Sequence, residues 1–106
     1  MGYKMVRDNH QEILGEHISG QWRTSPDPVS SLIKKLGEEY SELAESRDPA
    51  ELYDLWDVLD ELTALLDPDG TAEIKHAIKA KHLGRFADHT EWHPNPDIDL
   101  WAEWNA

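Results

Sequence analysis

Glu38-Glu39-x-x-Glu42 and, nine residues after Glu42, Glu51-x-x-Asp54 with Asp57 one turn further on are the residues in this chain whose types and spacing can do chemistry. Carboxylates at intervals of three and four recur on one side of a helix, so two neighbouring helices can pool them in one cleft. Oxygen donors gathered in this way suit hard divalent cations. Mg²⁺ takes one or two carboxylates per ion, keeps several waters and uses substrate phosphate oxygens for the rest, so a cluster of this size suits two such ions.

The elements that must position these acids are legible from the apolar pattern. Asp27-Pro28 reads as an N-cap followed by Pro at the first helical position. From there to about Ser46, Val29, Ile33, Leu36, Tyr40 and Leu43 form an amphipathic stripe, widened by Leu32 and Ala44. On a helical wheel Glu39 falls beside the Leu32 edge of that stripe, Glu42 just beyond it and Glu38 further toward solvent. Arg47-Asp48-Pro49 is a break, and Asp48 can cap a second helix from Pro49 to about Leu66. Its stripe is Leu52, Leu55, Leu59, Leu62 and Leu66, broadened by Val58 and Leu65. Glu51 lies within roughly half a turn of the centre of that stripe, Asp54 on its edge and Asp57 further out. A carboxylate so placed is costly to bury unless it is paired, hydrogen-bonded or metal-bound.

Each of these residues also has a plainer explanation. Glu38, Glu39 and Glu42 can form a solvated face paired with Lys34 and Lys35. Glu51 can complete a capping box with Asp48, reaching back to the cap N–H. Capping does not account for Asp54, Asp57 or the acids of the other helix, so the combination favours a site.

The remaining chain frames this pair. Tyr3 to Val6 reads as a β-prone or extended piece, followed by a short helix from an Asp8 cap to about Ile18, closed by Gly20. Asp67-Pro68-Asp69-Gly70 is a turn, and Thr71 to about Leu83 reads as a third, weaker helix with Lys75, Lys79 and Lys81 on a basic side. Gly84 ends it. Trp92, Trp101 and Trp104 lie in an irregular, Pro-containing tail and are expected to pack on the body or on a neighbouring subunit. His89 and His93 are four apart, but Pro94 and the lack of a third ligand favour surface histidines over a zinc site. Asp67 and Asp69 open like a calcium loop, yet Gly70 falls at the wrong position.

Composition sets the outer bounds. At 106 residues, with 22 acidic and 10 basic side chains and a formal charge of -12, the chain has one small domain's length and no obvious affinity for nucleic acid. Without cysteine there is no disulfide framework, thiolate nucleophile or Cys-based zinc site, and a reducing cytoplasm is the expected compartment. No signal-peptide run and no transmembrane stretch is expected, and no membrane partner.

The acidic motif pair resembles that of the all-α nucleoside triphosphate pyrophosphohydrolases, the MazG and phosphoribosyl-ATP pyrophosphatase-like group, whose pattern is Glu-Glu-x-x-Glu followed by Glu-x-x-Asp. Glu38, Glu39, Glu42, Glu51 and Asp54 match it position by position. The gap between Glu42 and Glu51 is shorter than in many MazG proteins and looks like a small branch that reads lysine-leucine-valine-arginine-aspartate near its start. Lys4-Met5-Val6-Arg7-Asp8, then Glu12-Ile13-Leu14, resembles that opening. Asp57 stands where that branch usually has Glu, and Gly84-Arg85-Phe86 meets its Gly-Gly-Phe close in part. The resemblance covers about Tyr3 to Phe86 and therefore implies a domain over 1–86, with a Trp-rich tail over 87–106.

The resemblance implies an all-α fold: an antiparallel helical hairpin with short flanking helices, assembled as a homodimer or homotetramer whose apolar stripes close a four-helix-bundle-like core. It implies Mg²⁺-dependent hydrolysis of a nucleoside triphosphate between the α and β phosphates, with Mn²⁺ as an alternative ion, as in the clearing of non-canonical or surplus nucleotides. Cations at such a site lower the pKa of bound water and bridge phosphate oxygens, so no protein nucleophile is required. The expected Mg²⁺ ligands are Glu39, Glu42, Glu51 and Asp54, with Asp57 an outer ligand and Glu38 a further ligand or the group that orients water. Holding a triphosphate in so acidic a chain calls for cations, and Lys4, Arg7, Lys35, Lys79, Lys81 and Arg85 are the candidates. Trp22 and Trp92 are candidate base-stackers. A non-catalytic helical interaction module and a nucleotide-binding sensor are the alternatives.

Overall fold

The computed structural model describes residues 3–15 and 19–95 and is all-helical over them, with no strand among the described residues. Four helices follow one another: α1 (His10–Leu14), α2 (Pro28–Ser46), α3 (Ala50–Leu66) and α4 (Thr71–Leu83). The chain divides into two compact units, one up to Gly70 and one from Thr71 onward.

Local chemistry fixes the start and end of α2. The Asp27 side chain accepts from the Ser30 N–H at 3.2 Å and the Ser30 hydroxyl at 2.6 Å, and Pro28 occupies the first helical position where no N–H is needed. At the other end Arg47 adopts the left-handed region, with φ 54°, and its N–H closes on the Leu43 carbonyl at 2.8 Å. This places the chain for the immediate start of α3. Asp48 does act at that start, but by accepting from the Ala50 N–H at 2.9 Å, and regular helix begins at Ala50 rather than Pro49.

Helices α2 and α3 pack against each other and carry the core of the first unit. Leu32 from early α2 clusters with Val58 and Leu62 from later α3, and Met5, Val29 and Leu36 close around them. The buried face of α2 is therefore rotated from the expected stripe. It runs through Leu32, Leu36, Glu39 and Leu43, whereas Ile33 and Tyr40 are 54% and 66% exposed. On α3 the inner face is Glu51, Asp54, Leu55, Val58 and Leu62, while Leu52, Leu59 and Leu66 are exposed. Apolar residues were expected along a broad stripe, and one partner helix covers only a narrow seam of it. Trp56 is 59% exposed on the single chain.

The N-terminal segment crosses this helix pair as a strap. Ser31 Oγ lies 3.5 Å from the Tyr3 hydroxyl, the Lys34 ammonium sits 3.8 Å from the centroid of the Tyr3 ring and also donates to the Tyr3 carbonyl, and Met5 joins the core. The extended reading of Tyr3 to Val6 agrees with the absence of helix there. Helix α1 is shorter than expected. It starts after Asn9, not Asp8, and has no side-chain cap bond, which suits its single-turn length. The residues on which its expected end at Ile18 depends lie outside the described ones.

In the second unit α4 occupies the expected span, has no buried residue, and ends where Gly84, with φ 82°, gives its N–H to the Ala80 carbonyl at 2.8 Å. Trp101 and Trp104, and the expected tail from residue 96 onward, lie outside the described residues.

Candidate metal centre

The seam between α2 and α3 changes character along its length. Where Leu32 meets Val58 and Leu62 it is apolar; toward the α2–α3 connection it becomes acidic. There one carboxylate oxygen from each of Glu39, Glu51 and Asp54 can be chosen so that all lie within 4.8 Å of one another. Helical periodicity is the reason. Glu39 continues the face of Leu32 and Leu36, and Glu51 and Asp54 continue the face of Val58 and Leu62, so packing the apolar halves brings the acidic halves together.

Glu39 is 5% exposed and is the one buried charged residue among those described. Its Oε1 receives the Lys35 ammonium at 3.0 Å, and Lys35 also reaches Glu38 Oε2 at 3.5 Å. Burial alone would raise the Glu39 pKa, but the hydrogen bond and charge of Lys35 hold it below the ordinary carboxylate value. Burial likewise opposes the charge of Lys35, and Glu39 with Glu38 outweighs it, so the lysine pKa is raised. This pair is therefore ionised at neutral pH.

Glu51 behaves in the opposite way. Burial first, then the charge and hydrogen bonding of Glu42 and the charges of Asp54 and Glu39, push its pKa up to about 7. The capping explanation for this residue fails on geometry: the Asp48 N–H is taken by Ser46 Oγ at 3.1 Å. Glu51 is thus turned to the cluster rather than back to the helix start.

Two oxygens decide what the cluster is suited to hold. Glu39 Oε2 and Glu51 Oε2 are both buried with no hydrogen-bond partner. A buried carboxylate oxygen left unmatched costs free energy, and a divalent cation satisfies several such oxygens at once. The donor set, all oxygen with no nitrogen or sulfur, fits Mg²⁺ or Mn²⁺ rather than a soft metal.

The other expected site residues distribute around this centre. Glu42 is exposed, yet near enough to Glu51 to act on its charge. Glu38 is half-buried beside Lys35. Asp57 is outside the close triad and is bound instead by Arg7, whose Nη2 lies 2.8 Å from Asp57 Oδ2 and 2.8 Å from Asp54 Oδ1. The Asp57 hydrogen bond, against some desolvation and with help from Asp54, raises the arginine pKa. Lys4 is exposed. Lys79 and Lys81 lie on α4, and Arg85 lines a cavity of about 240 Å³ with Leu83, Phe86 and His89, all in the second unit.

Sequence reasoning missed the pairing of Arg7 with Asp54, 47 residues further along the chain, and with Asp57 beyond it, which has no local periodic signal. It also missed a cavity of about 230 Å³ beside Arg7, to which Gln11, Trp22 and Arg23 contribute. The presence of an aromatic residue among basic ones, Trp22 next to Arg23, was the available hint. No family model matches the chain, and no curated protein or solved structure matches it at a significant level.

Proposed function

We propose that the chain is a Mg²⁺-dependent nucleoside triphosphate pyrophosphohydrolase, converting an NTP or dNTP and water to the monophosphate and pyrophosphate. The observation that carries this reading is the convergence of Glu39, Glu51 and Asp54 within 4.8 Å, with two of their oxygens buried and unpartnered. Glu39, Glu51 and Asp54 hold the cation, Glu42 completes the set from the exposed side, and Asp57 is an outer member. Bound Mg²⁺ supplies a water of lowered pKa and offsets charge on the phosphate oxygens. Lys35 keeps Glu39 ionised; Glu38, sharing that lysine, orients the attacking water. Arg7, Lys35 and Lys4 are the basic groups that the first unit offers the triphosphate, and Trp22 is its candidate for the base.

In this reading α2 and α3 form an antiparallel hairpin, and a second copy completes a four-helix-bundle-like core as a homodimer or homotetramer. Support comes from the small core of each chain and from the exposure of Ile33, Tyr40, Tyr53 and Trp56. Those side chains leave much apolar area uncovered on one chain, and an obligate interface resembles a domain core cut in half. Neither nucleic acid nor membrane is a partner in this reading. The strongly acidic charge opposes the first. For the second, no described helix is long and apolar enough to cross a membrane. The cytoplasm remains the proposed compartment.

A non-catalytic helical module is the second reading, favoured by the neutralisation of Asp54 and Asp57 by Arg7 and of Glu39 by Lys35. Incubation with a panel of ribo- and deoxynucleoside triphosphates and Mg²⁺, with monophosphate and pyrophosphate as the products sought, separates the two. The enzyme reading expects turnover that Glu39→Gln and Asp54→Asn abolish. Absence of turnover across the panel, with a folded protein, leaves the module.

A further inference from the structure

Arg7 occupies an unusual position: a single guanidinium nitrogen lies 2.8 Å from both Asp54 and Asp57, and Asp54 is also one corner of the cation triad. The same residue lines the cavity formed with Gln11, Trp22 and Arg23, to which Asp8 contributes the one acidic side chain, outnumbered by the two arginines. Its side chain is 58% exposed and belongs to a segment without regular structure. That segment is anchored independently of it, through Tyr3 on Ser31 and Lys34 and through Met5 in the core. The guanidinium can therefore leave Asp54 without detaching the strap, and it has a cavity beside it to enter.

We propose that Arg7 is an internal competitor for the cation centre, which surrenders Asp54 when a divalent cation binds Glu39, Glu51 and Asp54 and then turns into the adjoining cavity to hold a phosphate oxyanion. This inference rests on the cation reading above. The physical logic is exchange between like charges. Asp54 cannot give the same oxygen fully to a guanidinium and to a metal, and both cations close together repel. An oxyanion next to Arg23 restores a partner to the released guanidinium, whose planar fork suits phosphate. Cation entry and phosphate capture are thereby coupled through one side chain. If Arg7 merely positions Asp54, its removal weakens cation binding; if it competes, its removal strengthens it.

The test uses the full chain and reads binding rather than turnover. Isothermal titration with Mg²⁺ should show Arg7→Gln binding about three- to tenfold more tightly than the wild type, the order expected for releasing two partly exposed ion pairs. That gain should persist at high KCl, where the Debye length falls to a few ångströms and a long-range charge effect would be screened. In the wild type, the side-chain Nε–H resonance of Arg7, assigned by its loss in Arg7→Gln, should move on saturation with Mg²⁺. It should move again on adding inorganic phosphate, and phosphate without Mg²⁺ should have little effect. Equal or weaker Mg²⁺ binding by Arg7→Gln, or an Arg7 resonance that ignores saturating Mg²⁺, overturns the competition and leaves the cation centre intact. A resonance that follows Mg²⁺ but ignores phosphate overturns the oxyanion step. Failure of both proteins to bind millimolar Mg²⁺ overturns this inference together with the cation reading.

Discussion

Lys35 and Glu39 lie one turn apart on α2 and meet at 3.0 Å, which satisfies one oxygen of a buried carboxylate and leaves the other, Oε2, without a partner. A solvated acidic face does not need this arrangement. The helix holds Glu39 charged in the interior, with one of its carboxylate oxygens within 4.8 Å of oxygens of Glu51 and Asp54 on the facing helix.

Removing the lysine tests that arrangement directly. Lys35→Met should leave Glu39 as an uncompensated buried charge and destabilise the fold by about 1–3 kcal/mol, measured by urea unfolding at pH 7. The double variant Lys35→Met/Glu39→Leu should recover much of the loss, because no uncompensated carboxylate is then left buried. A single variant as stable as the wild type would remove the argument that Lys35 sustains the Glu39 charge.

Divalent cations should stabilise the protein through the same carboxylates. A ligand that binds only the folded state adds about 2.7 kcal/mol at a hundredfold excess over its Kd. Mg²⁺ or Mn²⁺ should therefore raise Tm in the wild type and lose most of that effect in Glu39→Gln and Asp54→Asn, followed by scanning calorimetry. Equal shifts in wild type and variants would place the bound ions elsewhere on the acidic surface.

The acidic pair and its helices were legible in the sequence because both depend on local periodicity. The wheel placed Glu39 as the least solvated acid of α2, and the structure buries it. It also placed Glu51 inside its stripe and Asp54 and Asp57 progressively outward, in agreement with their side-chain exposures of 41% and 55% for the two aspartates. The Asp27 cap and the span of α4 followed from similar short-range chemistry. Long-range choices were not legible. Which part of a broad stripe one chain can cover depends on the rotation of α2 against α3, so Ile33 and Tyr40 emerged exposed and Leu32 buried. The contact of Arg7 with α3 depends on where the N-terminal strap crosses, which periodicity does not encode.

The uncovered stripe leads to a prediction about assembly. Tyr40 and Tyr53 are 66% and 70% exposed on α2 and α3. Analytical ultracentrifugation should show a concentration-dependent dimer or tetramer, and Tyr40→Asp or Tyr53→Asp should shift it toward monomer. A wild type that is monomeric across the accessible concentration range would rule out the bundle-like core.

The pH dependence of stability isolates Glu51. Its pKa in the folded chain is raised from the ordinary 4.5 to about 7, so between these values the folded state binds more protons than the unfolded one. The stability associated with this proton is fully present below about pH 4.5 and is lost as pH rises through 7. Glu39 has the opposite sign: its lowered pKa contributes stability above the ordinary carboxylate value that disappears on acidification, outside the Glu51 window. Melting curves without added divalent cation should therefore fall in Tm from about pH 5 to pH 8 by an amount that Glu51→Gln removes, since the amide is neutral throughout. Mg²⁺ must displace the same proton, so its affinity should rise over that interval in the wild type and flatten near pH 8 as Glu51 becomes ionised. A wild-type Tm profile that Glu51→Gln leaves unchanged would show that Glu51 titrates as an ordinary surface acid and is no part of a close carboxylate cluster.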